Sequence, residues 1–233
     1  MKHIILPDSR QRSLAFYLAM EEFVASHVEG EAFFVWQSEP TVIYGRNQVL
    51  ENEVNMTYCQ EHEVEVVRRK SGGGCVYSDK GNIMISYVSE RGVVSEVFER
   101  YLDALVGFLR VQGIPAEKSG RNDVLVNGRK VSGNAFHQLP DRSIVHGTLL
   151  YSTDFDALEQ AIKPPVEKLQ RHGVESVRQR VMNLSEILSC GVEAIKGSLT
   201  GYFCDSEVIL SKADVESIEK IQEDYFVITN KKH

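Results

Sequence analysis

Asn127 and Gly128 sit between two alternating runs, "DVLV" and "RKVSGNAF". An Asn-Gly pair supplies the two positive-φ positions of a type I′ turn, whose twist matches that of the strands on either side. The stretch 123–136 therefore reads as a β-hairpin, so an antiparallel pair is written into the chain. Further strands are predicted at "VEVVRRK", "NIMISYV", "SIVHGTLLYSTD" and "SEVILS", and "AFFVWQSEPTVIYG" reads as two strands about a turn at Glu39-Pro40. "SLAFYLAMEEFVASHV" carries Leu14, Leu18 and Phe23 at helical spacing and reads as an amphipathic helix. "SEVFERYLDALVGFLRVQG" is a second helix, with Ser95 as its N-cap and Gly113 just past its end. Asp154 caps a third, and "ADVESIEKIQEDYF" forms the last. "PPVEKLQRHGVESVRQRV" reads as a loop with charged pieces. Strands and helices mix without strict βαβ alternation. That pattern predicts an α+β fold with a mixed, largely antiparallel sheet flanked by helices.

A chain of 233 residues without internal repeats suits one domain over 1–233. No apolar run is long enough to span a bilayer, and the first residues show no small-residue cleavage pattern. Cys59, Cys75, Cys190 and Cys204 lie far apart with no C-x-x-C pair, which fits a reducing cytoplasm and argues against a zinc ribbon. The net charge of −7 argues against nucleic acid as the main partner. Positive charge is instead local, in Arg68-Arg69-Lys70, so a small anion is the better expectation.

Those three cations stand directly before Gly72-Gly73-Gly74. Adjacent glycines let successive N–H groups converge on phosphate or carboxylate oxygens; the plainer alternative is a tight turn between Val67 and Val76. Two established phosphate loops are excluded by spelling. The pattern G-x-x-x-x-G-K-[ST] is absent, and Tyr77 stands where G-x-G-x-x-G needs its last glycine. A second segment, "SGRNDVLVNGRKVSGNA", carries Arg121, Asn122, Asp123, Arg129 and Lys130 among three glycines. In its second strand Val131 points opposite to Lys130, which leaves Lys130 on the other face; a plain surface lysine is the alternative. A third segment, "VHGTLLYSTD", holds His146, read as a packed hydrogen-bonding residue rather than a base.

Together the three segments resemble the lipoate–protein ligase A family, which is marked by R-R-x-S-G-G-G-x-V, by S-G-R-N-D followed by R-K-x-S-G, and by H-G-T-L-L. They stand here at 68–76, 119–123 with 129–133, and 146–150. "YLAMEE", "VIYGRNQ" and "GVESVRQRVMNLSE" agree more weakly, and the resemblance runs in order over most of the chain. It implies the α+β catalytic domain shared with biotin–protein ligases and octanoyl transferases. It also implies an ATP-dependent, AMP-forming ligase that activates lipoate to lipoyl-AMP with Mg2+. The lipoyl group then passes to a lysine on the lipoyl domain of a 2-oxoacid dehydrogenase E2, or on the glycine-cleavage H protein. No tightly bound metal is expected.

By the same resemblance Lys130 is the key lysine, reaching the acyl carbonyl and the phosphate. Arg68, Ser71, Gly72, Gly73, Gly74, Cys75, Val76, Asn122, Asp123, Ser132, Gly133, His146 and Thr148 would join it around ATP or lipoyl-AMP, with Asp123 facing the nucleotide's magnesium. The chain departs from the pattern at Cys75, where a small apolar residue is usual. Related acyl transferases use a cysteine nucleophile after the lysine segment, yet no cysteine occurs between Cys75 and Cys190. Cys75 is expected to serve structurally as a small hydrophobe, although basic neighbours could lower its pKa. Bacterial ligases add a C-terminal accessory domain, which is not expected here. A lipoyl transferase that uses preformed lipoyl-AMP, or depends on an accessory ligase subunit, is therefore the close alternative. A non-catalytic module that binds lipoyl carrier proteins is the alternative of another class. Biotin ligase is disfavoured, because its G-R-G-R-x-G loop is absent.

Overall fold

The computed structural model describes residues 1–120, 122–163 and 180–228. Twelve strands among them form two sheets. The larger runs β11-β1-β2-β6-β10-β9-β8-β7 and the smaller β12-β4-β3-β5. In chain order the elements begin with β1 (Lys2–Ile5), α1 (Leu14–His27), β2 (Ala32–Trp36) and β3 (Thr41–Tyr44). Two short helices follow, α2 (Leu50–Glu53) and α3 (Met56–Glu61), then β4 (Glu65–Arg68), β5 (Val76–Ser78), β6 (Asn82–Glu90) and α4 (Val94–Val111). Next come β7 (Ala116–Ser119), β8 (Asp123–Val126), β9 (Arg129–Gln138), β10 (Arg142–Leu150) and α5 (Phe155–Ala161). The chain continues through α6 (Val192–Phe203), β11 (Ser206–Ile209), α7 (Lys212–Gln222) and β12 (Val227–Ile228).

The hairpin forms as read. Asn127 and Gly128 both take positive φ, 51° and 76°, between β8 and β9. Asp154 caps α5 by accepting from the N–H groups of Asp156 and Ala157. Three expectations change. The turn at Glu39-Pro40 does not close a hairpin: β2 joins the large sheet, whereas β3 crosses to the small one, parallel to β4 and antiparallel to β5. Helix α1 is not amphipathic. From Leu14 to Ala25 every residue except Glu22 is buried, because the helix is wedged between the large sheet and α7. Ser95 lies inside α4; Val93 is the N-cap and supplies no side-chain bond. Strand β1, too short to show a period, runs parallel between β2 and β11. The charged loop expected at 164–181 falls almost entirely outside the described residues.

Strand alternation gives the large sheet two different faces. Val145 and Leu149 point, with Phe33, Ile83 and Ile85, to a core shared with Tyr101 and Leu105 of α4 and Leu199 of α6. Ile144 points the other way, with Phe34, Trp36 and Met84, to α1 and α7. The small sheet packs a third core from Val42, Val66 and Tyr77 with Ala157 and Ala161 of α5. No helix among the described residues is long and apolar enough to cross a membrane.

Candidate functional site

The glycine loop leaves the end of β4, and the three cations before it do three different things. Arg69 is 5% exposed and fills the loop from within. Its Nη2 donates to the carbonyls of Gly72 and Gly74, both at 2.7 Å, and its Nη1 to that of Ile43 at 3.2 Å. Burial pulls its pKa down to about 10, which still leaves it charged at neutral pH. A trans peptide holds N–H opposite C=O, so the amides of Gly73 and Cys75 point away from Arg69. Gly73 has φ of +96°, and a Cβ there would come within 2.9 Å of Arg69 Nη2. A Cβ at Gly72 or Gly74 would meet nothing within 4 Å, so these two border open space.

A buried relay ties this loop to the large sheet. Ser71 Oγ lies 2.7 Å from His146 Nε2, and His146 Nδ1 lies 2.8 Å from Glu21 Oε2. Ser86 Oγ donates to Glu21 Oε1 at 2.6 Å, and Trp36 Nε1 donates to Ser86 Oγ at 2.9 Å. Ser71 Oγ also accepts from Arg69 Nε at 3.1 Å. The string Ser71–His146–Glu21 has the order of a nucleophilic triad. Ser71, however, is 2% exposed and its oxygen is engaged on both sides, so here the string works as a fastening. His146 is thus the packed hydrogen-bonding residue expected from the sequence.

Register brings the other two motifs alongside. Across three adjacent strands Asp123 stands opposite Gly133, and Gly133 opposite Thr148; Ala135 stands opposite His146. The loop lies over this row, since a Cβ at Gly73 would touch the Ala135 Cβ at 4.0 Å. Lys130 reaches the row only through a defect. Simple alternation would place it with Ser132 and Asn134 on the α4 face. The β8–β9 register slips between Val124 and Leu125, so that Val124 faces Ser132 while Leu125 faces Lys130. Val131 is the extra residue and is buried in the α4 core. The bulge turns Lys130 to the face of Asp123, where its Nζ lies 2.8 Å from Asp123 Oδ1. Gly133 leaves room for it, since a Cβ there would sit 2.5 Å from Nζ. Thr148 Oγ1 accepts from the Gly133 N–H at 3.3 Å.

Asn122 is held from behind by Asn134. Asn134 Nδ2 donates to the Asn122 carbonyl at 2.9 Å, and Asn122 Nδ2 donates back to the Asn134 carbonyl at 2.6 Å. Ser132 is fully buried and accepts from Asn134 Nδ2 at 3.2 Å, so it supports the site from the far side rather than lining it. Arg121 lies outside the described residues. Asp123 is engaged with Lys130, and among the described residues no group of three or more His, Cys, Asp or Glu could hold a metal ion.

Beside the loop a cavity of about 440 Å³ is lined by Arg46, Arg68, Arg69, Lys70, His137, Asp224, Tyr225 and Phe226. Arg68 is exposed; its Nη2 donates to the Arg46 carbonyl at 2.5 Å and its guanidinium lies 5.9 Å from the centre of the Tyr44 ring. Burial lowers the pKa of His137, favouring the neutral ring. Cys75 sits as a small structural residue, as expected, but its basic neighbours do not lower its pKa. Burial, with the Glu53 charge adding to it, pushes its thiol up to about 12, and the opposing pull of Arg69 is weaker. Cys75 packs against the small-sheet core and Val76 against the α1 core. Sequence reasoning named Arg69 only as one of three local cations, and did not single out Glu21, Arg46, His137 or Tyr225. Glu21 and Arg46 lie in the weaker matches "YLAMEE" and "VIYGRNQ", which were the available signal.

A glycine loop filled by a buried arginine, a basic cavity beside it and a lysine re-aimed by a bulge define a basic site on an α+β domain. Residues 13–204 match the lipoyl protein ligase A/B catalytic domain, and the chain belongs to that family. It is 38% identical over 218 residues to lipoate–protein ligase 1 of Staphylococcus aureus strain Mu50, covering 90% of this chain and 66% of that protein. It is also 38% identical over 174 residues to the lipoate–protein ligase LplJ of Bacillus subtilis strain 168, covering 73% and 53%. The chain thus spans between about half and two thirds of the length of these relatives. Its fold matches a structure from a bi-partite lipoate protein ligase system of Thermoplasma acidophilum, with a TM-score of 0.83 at 24% identity, covering 96% of this chain and 93% of that one. A lipoate–protein ligase A bound with ATP matches with a TM-score of 0.82 at 21% identity, covering 96% and 94%.

Proposed function

We propose that this chain is a lipoate–protein ligase domain that joins lipoate to a lysine of a lipoyl carrier in two steps. In the first, a lipoate carboxylate oxygen attacks the α-phosphorus of ATP, forming the mixed anhydride lipoyl-AMP and releasing pyrophosphate. In the second, a neutral lysine amine of the carrier attacks the acyl carbon, the acyl–oxygen bond breaks, and AMP leaves with its electron pair. The observation that carries this reading is the bulge that sets Lys130 beside Asp123 on the face covered by the glycine loop. Charge builds on phosphate and acyl oxygens in both steps, and a fixed cation stabilises it where it forms. The outward amides of Gly73 and Cys75, with Arg68, suit the carboxylate and phosphate end. No protein nucleophile is required, which agrees with a Cys75 thiol held protonated. Mg2+ would enter on the nucleotide. One carboxylate plus phosphate oxygens is an ordinary magnesium site, and Asp123, whose Oδ1 is engaged by Lys130, would supply that carboxylate through Oδ2. The ion would neutralise the phosphates.

The carriers we propose are the lipoyl domain of a 2-oxoacid dehydrogenase E2 and the glycine-cleavage H protein, with the described residues forming one catalytic domain acting in the cytoplasm. A second reading is favoured by the bi-partite ligase structure, which matches this chain over nearly its full length. In that reading the chain transfers from lipoyl-AMP, and adenylation needs an accessory subunit. Mass spectrometry of an apo lipoyl domain separates the two. Incubation with this protein, lipoate, ATP and Mg2+ is expected to add one lipoyl group. Addition from supplied lipoyl-AMP alone would establish the transferase reading, and no addition from either would refute both.

A further inference from the structure

Lys70 lines the basic cavity with its side chain 35% exposed, and Glu22 fixes its ammonium in place. Both carboxylate oxygens of Glu22 approach its Nζ, at 2.8 and 3.0 Å. The Tyr225 ring centre lies 4.6 Å from the same Nζ. The Tyr225 hydroxyl donates to the Glu22 carboxylate and, at 3.3 Å, to the Leu18 carbonyl. Tyr225 is 9% exposed, so this clasp is shielded from water on the tyrosine side. One side chain from the segment after α7 therefore fastens α1 to the entrance of the glycine loop. The same segment grips Arg68 as well. The Phe226 carbonyl accepts the Arg68 N–H at 3.1 Å, and Val227 and Ile228 pair with Val67 and Val66. Asp224, Tyr225 and Phe226 also form part of the cavity wall.

We propose that Tyr225 is a positioning residue of the anion site. It docks Lys70 on Glu22, and its segment sets the backbone of Arg68, so that the cavity presents preset cations to the phosphates of the substrate. Contacts of this kind act equally on the bound substrate and on the transition state, so their loss appears in KM and leaves kcat nearly unchanged. A strut with no bearing on the site would instead lower the folded fraction and leave KM alone. The proposal rests on the ligase reading above for its substrate, but not for its geometry.

The test compares wild type, Tyr225→Phe and Tyr225→Leu. Tyr225→Phe keeps the ring and loses the hydroxyl bond to a carboxylate, and is expected to raise the KM for ATP roughly fivefold. Tyr225→Leu also loses the ring over Lys70, and the rise is expected to reach roughly tenfold or more. In both, kcat stays near wild type once corrected for the folded fraction measured by circular dichroism. Calorimetric titration with inorganic pyrophosphate is expected to weaken in the same order. Unchanged KM and unchanged pyrophosphate affinity in Tyr225→Phe would overturn the proposal. A wild-type protein that lipoylates nothing would refute the ligase reading, and the pyrophosphate titration would still decide the role of Tyr225.

Discussion

Lys130 and Cys75 show how little a residue's neighbours in sequence say about its chemistry. Lys130 sits in a glycine-rich strand, and its ammonium is held 2.8 Å from Asp123 at a half-exposed position. Lys130→Ala is expected to leave the fold intact and to slow transfer from lipoyl-AMP by on the order of 10²–10³-fold. Near wild-type transfer by the folded variant would remove Lys130 from the site. Cys75 follows three glycines and lies close to Arg69, yet burial leaves its thiol protonated up to about pH 12. Cys75→Ala is therefore expected to keep most of its activity. An acyl adduct trapped on the wild-type thiol, together with a folded but inactive Cys75→Ala, would overturn the direct attack of the carrier amine.

At the scale of elements, the site depends on how β8, β9 and β10 register and on what packs behind them. Gly147 of β10 sits opposite Asn134, and a Cβ added there would fall 1.8 Å from Asn134 Oδ1 and 3.2 Å from the Tyr101 hydroxyl. Neither of those two atoms has a hydrogen-bond partner, so nothing draws them aside. Gly147→Ala must push Asn134 off its two bonds to Asn122 and Ser132. It is expected to destabilise the protein by about 1–3 kcal/mol and to weaken nucleotide binding as Asn122 loosens. Chemical denaturation and an ATP titration measure the two effects. Wild-type values in both would show that β10 shifts freely past β9.

For the whole molecule, pH acts through histidines half-buried as the layers close. Burial holds the folded-state pKa of His137, and of His3, below the ordinary imidazole value. Between the folded and unfolded values the unfolded chain binds protons that the folded chain refuses, so acid favours unfolding. The stability from these residues is present in full above about pH 6.5 and declines as the pH falls below it. Denaturant midpoints taken from pH 7.5 down to 5.5 are expected to drop, and His137→Gln is expected to flatten that drop. An equal slope in the variant would mean that His137 does not stay neutral in the fold.

Local signals in the sequence determined the hairpin at Asn127-Gly128, the cap at Asp154, the α+β class and the three motifs. Each of these depends on residues a few positions apart, such as a positive φ, a side chain within reach of a nearby N–H, or an alternating run. What depends on distant partners was decided only by tertiary structure. "AFFVWQSEPTVIYG" carries the same strand signal whether its halves pair with each other or part between two sheets, because the strands that claim them, β1 and β6 for one half and β4 and β5 for the other, lie elsewhere in the chain. α1 shows apolar spacing on one face, yet it is buried all round, since α7 covers what would otherwise meet water. Arg68, Arg69 and Lys70 are equal cations in sequence. Packing makes the second a loop core, docks the third on Glu22, and leaves the first facing the cavity. That Lys130 emerges opposite Val131 was legible along the strand; the register slip against β8 that brings the lysine beside Asp123 was not, because it depends on the partner strand.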